Sequence, residues 1–238
     1  MDIHVLVLTA AAVFAGAFVQ GLSGLGFPLV ASPVLTQIIP GTGAVGLVNA
    51  LSVVQNIWLI ARTRSPIAWR ILAGMAPGLV VGIGIGWVIV RAADPRIFPL
   101  IVAVSATASI LWLLTAHRFT GAGASAVSTV WGGAVNTVAG VGGPPLASYL
   151  VTRGLDFASY VRSLQMVFAI IDIISLPILG VAAPSPVALA LWLGAMLVGS
   201  LIGEAMRHRL TQQRAQAIGK GVILLVCVVA LVRAITLV

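Results

Sequence analysis

Six stretches of the chain, residues 42–62, 68–90, 97–116, 157–180, 186–206 and 217–237, are each long and apolar enough to cross a bilayer as a helix, which takes about 20 residues. Of the 238 residues, 60% are apolar and 8% are charged, and the mean hydropathy is +1.15. A soluble domain carries about 25% charged residues to keep its surface in water. Most of this surface must therefore face hydrocarbon, and the predicted fold class is an all-α integral membrane protein.

Two further apolar stretches, residues 5–39 and 125–152, are interrupted by glycine. The first break is residues 19–28 (VQGLSGLGFP) and the second is residues 135–145 (VNTVAGVGGPP). A shift of 116 positions places Gln20 on Asn136, Gly24 on Gly140, Gly26 on Gly142, Pro28 on Pro144, and Ala31-Ser32 on Ala147-Ser148. The chain thus reads as two copies of one unit, residues 1–120 and 121–238. Each copy holds one broken stretch followed by three spans.

A broken stretch either crosses the membrane or enters and returns as a re-entrant hairpin. Loop charge separates the two schemes. With hairpins, one side holds Arg62, Arg64, Arg70, Arg118, Arg153, Arg162, Arg207, Arg209, Arg214 and Lys220, and the other holds Arg91, Arg96 and Arg233. With crossings the split is eight to five. Because an excess of Lys and Arg marks the cytoplasmic side, the hairpin scheme is preferred. It makes the two copies an inverted repeat, with both termini outside the cytoplasm. Inverted repeats are a common plan of secondary transporters, whose sites lie at interrupted helices near the midplane. Irregular backbone at that depth must be buried in protein or line a wet cavity, so both breaks are expected to point inward.

The net charge of +8 follows from this loop bias, and no nucleic-acid partner is expected. The lone Cys227 rules out an internal disulfide framework. The segment 1–4 has no basic n-region, so a cleaved signal peptide is not expected. There is no phosphate-binding glycine–lysine motif, no His/Cys cluster at metal spacing and no serine nucleophile elbow. Neither an enzyme nor a cofactor is predicted. The partners expected are a small anion and the bilayer.

The breaks are the first candidates for chemistry. Glycine permits positive φ and close backbone approach. Pro28 and Pro144 suit the first turn of a new helix, whose free amides and positive dipole end favour an anion. Candidate ligand-binding positions are therefore Gln20, Ser23, Gly24, Gly26, Pro28 and Ser32 at the first break, and Asn136, Thr137, Gly140, Gly142, Gly143, Pro144 and Ser148 at the second. Phe27 stands where the second break has Gly143, which makes the first tip bulkier. The competing reading of such glycines is tight helix packing.

Polar residues within the spans come next. The same shift maps Asn49 onto Gln165 and Asn56 onto Asp172. In each copy the spacing of seven returns to one helix face, so both stripes are expected to line the site, with interhelical glue as the structural alternative. An ionised carboxylate at Asp172 costs about 2.5 kcal/mol or more at the middle of a span, which makes it the candidate for proton coupling. Arg162 either guards the cytoplasmic entrance or snorkels to headgroups. Glu204 is expected to pair with Arg207 or His208 along its own helix. The six tryptophans read mostly as interfacial anchors, with Trp131 and Trp192 as possible cavity residues.

The motifs in residues 23–28 and 139–145, with 198–203 (VGSLIG) echoed by 77–82 (PGLVVG), resemble the TauE/SafE family of sulfite exporters across essentially the whole chain. The resemblance implies secondary transport of small sulfur-containing anions, sulfite or sulfonates such as sulfoacetate, across a bacterial-type inner membrane. Competing classes are an anion channel on the same plan and a structural subunit of a membrane complex.

Overall fold

The structure is a computed structural model that describes residues 2–115, 122–207, 209–210 and 212–236. Arg118, His208 and the expected boundary at 120/121 lie outside the described residues. The described residues are helical throughout, in order α1 (Ile3–Ser23), α2 (Phe27–Leu35), α3 (Gly43–Arg62), α4 (Trp69–Ala92), α5 (Phe98–Thr115), α6 (Ala122–Ala139), α7 (Gly143–Val151), α8 (Phe157–Leu179), α9 (Pro186–Arg207) and α10 (Gln212–Thr236). Among them α1, α3, α4, α8 and α9 are long and apolar enough to span a membrane.

The two glycine breaks fall where the sequence places them, between α1 and α2 and between α6 and α7. The arms differ in length. Helix α1 has 21 residues, about 31 Å at the α-helical rise, whereas the nine residues of α2 reach only about 13.5 Å. So α1 alone is long enough to cross, and α2 is far too short. The short helix folds back on the long one. Phe27, Ala31 and Leu35 share an apolar cluster with Ala12, Val13 and Ala17, and Gly16 lets the Phe27 backbone approach, since a Cβ there would meet the Phe27 carbonyl at 2.7 Å. The second break repeats the arrangement, with Gly132 of α6 lying against Leu146 and Pro145 of α7.

Helices of the two halves exchange partners. The α1–α9 and α4–α6 pairs are the most extensive contacts in the molecule, and both are glycine seams. A Cβ on Gly199 would meet the Phe14 carbonyl at 2.5 Å, and one on Gly203 would meet the Phe18 carbonyl at 2.3 Å. On the other side, a Cβ on Gly82 would meet the Val130 carbonyl at 2.2 Å. Small residues allow this closeness, and van der Waals packing supplies association that hydrocarbon does not. The paired glycine motifs at 77–82 and 198–203 therefore serve helix packing.

Between α3 and α8 the contacts run in opposite directions. Thr42 Oγ1, just before α3, donates to the Leu179 carbonyl (2.7 Å) and Asn56 Nδ2 to Asp172 Oδ2 (3.2 Å); past the end of α3, the Ala68 N–H donates to Ser163 Oγ (2.9 Å). Rising numbers on α3 meet falling numbers on α8, so the two helices are antiparallel. Asp156 caps α8 by accepting the Ser159 N–H at 3.0 Å. The nearby Ser159 side chain and that backbone bond hold its carboxyl below the usual aspartate range. The lipid-facing surface is left to helices such as α4, of whose apolar window only 22% is buried, against 61% for α3.

Candidate functional site

Each break is shaped by residues that only glycine replaces. Gly24 (φ 84°), Gly26 (φ 131°) and Gly140 (φ 73°) sit at positive φ, which an L side chain adopts at a cost. Gly142 does not. Its φ is −68°, and its need is space, since a Cβ would lie 2.3 Å from the Gly132 carbonyl.

The polar residue one turn before each break then closes it. The Gln20 side-chain oxygen Oε1 accepts the Phe27 N–H (3.0 Å) at the start of α2. The Asn136 side-chain oxygen Oδ1 accepts the Gly142 N–H (3.2 Å) at the start of α7. Their amide groups turn the other way. Gln20 Nε2 donates to Asn56 Oδ1 and to Gln165 Oε1, both at 2.8 Å, and Asn136 Nδ2 donates to Asp172 Oδ1 at 2.8 Å. Gln165 Nε2 in turn donates to the Gly24 carbonyl. Asn56 and Asp172, which correspond under the 116-residue shift, bond to each other. Seven of the expected residues (Gln20, Gly24, Asn56, Asn136, Gly142, Gln165 and Asp172) thus form one network at the centre of the molecule.

Beside this network lies a small cavity lined by Gly26, Pro28 and Leu29 of the first break, Asn136, Gly140 and Gly143 of the second, and Ser52, Phe168 and Asp172 from the spans. The volume open to the centre of a water-sized sphere is about 10 Å³, room for about one water. Asp172 is 1% exposed, and its bonded partners here are neutral amides. Polar capacity is left over next to the cavity. Both amide atoms of Asn49 and the Ser32 hydroxyl are buried without a hydrogen-bond partner, and they flank Gly140 together with Pro28. A buried polar group without a partner costs about 1–3 kcal/mol, so these atoms have bonding capacity to offer a ligand or water.

The remaining expected residues lie elsewhere. Phe27 is fully buried in the α1 cluster and does not line the cavity. Pro144 and Pro145 have no N–H, which leaves Gly143, a cavity-lining residue, with the amide nearest the start of α7. Ser148 donates to the Pro145 carbonyl and accepts from Trp112. Thr137 donates to Gly133 and packs at the α4–α6 seam. Ser23 donates to the carbonyls of Val19 and Leu25. Arg162 donates to the Ser65 carbonyl in the α3–α4 connection. Trp192 is buried and donates to Thr9.

Glu204 departs from the expected pairing along its own helix. It is 6% exposed and is held from α3, by Arg62 Nε and by Trp58 Nε1, both at 3.2 Å. Nothing in the local sequence pairs positions so far apart. Ser52 was also missed, although it sits three residues after Asn49 and four before Asn56, on the same helix face. Among the described residues no group of three His, Cys, Asp or Glu side chains is placed to hold a metal ion.

Broken helices meeting around a shared polar core, inside a bundle of span-length apolar helices, define a multi-pass membrane protein. The family model described as Sulfite exporter TauE/SafE matches residues 8–232. The chain belongs to that family, which makes it one of the membrane anion transporters. No curated protein and no solved structure matches it.

Proposed function

We propose that the protein is a secondary carrier of small sulfur-containing anions, sulfite or a sulfonate, working by alternating access between two inverted halves. The observation that carries the proposal is the cavity walled by both glycine breaks, with Asp172 at its side and the unpartnered Asn49 and Ser32 next to it. The antiparallel course of α3 and α8 supports inversion, and the fold-back of α2 and α7 supports breaks that act as re-entrant tips.

In this reading the anion lies between the tips. Its oxygens accept from the Gly143 N–H, the Ser32 hydroxyl and the Asn49 amide. None of these donors is cationic, and Asp172 adds a carboxylate. Two negative charges together in a low-dielectric site repel strongly, so Asp172 carries a proton whenever the anion is bound, and proton and anion move together. The cavity in this conformation is too small for the anion and represents a closed state. Rocking of one half against the other opens it to one side at a time. Export is the direction the family name gives.

The test is sulfite counterflow in liposomes containing purified protein. Labelled sulfite is expected to accumulate transiently against unlabelled sulfite inside, with saturation. Flux without counterflow stimulation would make the protein a channel. Thermal shifts against sulfite, sulfate and small sulfonates rank the substrates, because a ligand at 100 times its Kd adds about 2.7 kcal/mol of stability. No shift with any of them would remove the anion assignment.

A further inference from the structure

The α3–α9 contact is made by polar side chains. It is too slight to rank among the main packing contacts, yet it is linked by three side-chain bonds. Ser200 Oγ donates to Gln55 Oε1 (2.7 Å), Trp58 Nε1 to Glu204 Oε1 (3.2 Å), and Arg62 Nε to Glu204 Oε2 (3.2 Å). The Arg62 guanidinium also lies over the Trp58 ring at 5.5 Å. Positions 55, 58 and 62 share one face of α3, and 200 and 204 share one face of α9.

This seam connects the surface to the central network. Its outer end is open, because the Arg62 side chain is 55% exposed while that of Glu204 is 8% exposed. Its inner end adjoins the first break: Gly21, next to Gln20, packs against the Ser200 carbonyl. One turn along α3, Ser52 lines the cavity beside Asp172. The Gln55 amide nitrogen is buried without a partner, in the middle of this route.

The corresponding seam of the other half has none of this. Under the 116-residue shift, Gln55, Trp58 and Arg62 become Ile171, Ile174 and Ile178, Ser52 becomes Phe168, and Ser200 and Glu204 become Gly84 and Val88. The α3–α9 positions offer a polar route toward Asp172. The six counterpart positions carry no polar side chain, Ile174, Gly84 and Val88 among them are exposed, and the nearby hydroxyls of Ser175 and Thr137 bond each other at 3.4 Å.

We propose that the α3–α9 seam is the hydrated access path for proton and anion on the Arg62 side, and that Glu204 and Arg62 are its outer gate. The pair attracts ions of either sign to the mouth. When it parts, water reaches the unpartnered Gln55 amide and then Ser52 and Asp172. The path rests on the transport reading above. It further states that access from the Arg62 side, the cytoplasmic side by loop charge, runs along α3 and α9, and that access from the other side does not use the equivalent α8–α4 seam.

The experiment is cysteine accessibility in a Cys227→Ser background, using a charged, membrane-impermeant methanethiosulfonate on inverted and right-side-out vesicles. Gln55→Cys and Ser200→Cys are read in parallel, so the result does not depend on one variant folding. Both are expected to react about tenfold faster from the Arg62 side, in proportion to how often a minor open state is populated there. Ile171→Cys is expected to stay unreactive from both sides. Equal labelling from both sides, or labelling of Gln55→Cys and Ser200→Cys no faster than Ile171→Cys, would overturn the path. Sulfite counterflow is measured on the same vesicles. Sided labelling without sulfite flux would count against the substrate assignment and leave the path standing. Intact flux without sided labelling would do the reverse.

Discussion

An ionised Asp172 would face a bound anion across a cavity of about one water's width, with only amides and hydroxyls around them. The groups that bond it or line the cavity beside it from α3 and α6 are Ser52, Asn56 and Asn136, none of which titrates. The proposed coupling therefore has a definite sign. Transport requires the protonated acid, so flux is highest at acid pH and falls as pH rises. Asp172→Asn mimics the protonated form and is expected to transport with a flat pH profile. A sulfonate is the right probe, because its own charge does not change over that range. An unaltered pH profile in the Asn variant would remove the residue from coupling. At the second break, neighbouring glycines are expected to separate stability from binding. Gly142→Ala drives a Cβ to 2.3 Å from the Gly132 carbonyl, an overpacking that costs about 1–3 kcal/mol and lowers the melting temperature. A Cβ on Gly143 would meet its nearest neighbour, Phe168, at 3.5 Å. Gly143→Val should keep the fold, fill the cavity and lose the sulfite-induced thermal shift. If Gly143→Val keeps both sulfite shift and flux, the anion lies elsewhere.

At the scale of the helix, positions two residues apart on α4 have opposite roles. Gly82 lies in the α4–α6 seam, where a Cβ would sit 2.2 Å from the Val130 carbonyl, whereas Gly84 has open space. Gly82→Ala is expected to destabilise by about 1–3 kcal/mol. Gly84→Ala should be neutral or stabilise by up to about 1 kcal/mol through helix propensity. Thermal unfolding in detergent measures both, and equal effects would mean the seam is not the tight contact described. The break glycines meet two different structural needs. Gly24 and Gly140 turn the chain, and Gly142 makes room for α6. Local spacing made much of the central network legible, because Gln20, Asn56, Asn136 and Asp172 recur at one offset. The Glu204–Arg62 pair was not legible. Its partners are 142 positions apart, and a local i,i+3 explanation for Glu204 was available and sufficient. Where Ser148 and Thr137 donate was equally hard to read: a hydroxyl within a helix has its own carbonyl acceptors three or four residues back, and both use them.

For the whole molecule, the 116-residue offset relates every helix of the first half to one of the second, and it does so to the residue at α2 and α7, where Phe27–Leu35 maps onto Gly143–Val151. What sequence could not supply was the exchange of partners, in which α1 packs on α9 and α6 on α4. Apolar helices of similar composition leave that choice to shape, and here the glycine seams decide it. The exchange has a topological consequence. Helix α1 runs alongside α9 in the same direction, since Phe14 and Phe18 meet Gly199 and Gly203 in ascending order. If α9 ends on the side of Arg62 and Arg207, α1 begins on the opposite side, and so does the chain. Helix α10, returning from the Arg207 side, ends there as well. Both termini are therefore predicted outside the cytoplasm, in agreement with the loop charge. Alkaline phosphatase fused to either end should be active and green fluorescent protein fused to the C-terminus dark. A fluorescent C-terminal fusion would require α10 not to cross. The two halves would then no longer be inverted copies, and the access path along α3 and α9 would need reassignment to the other side.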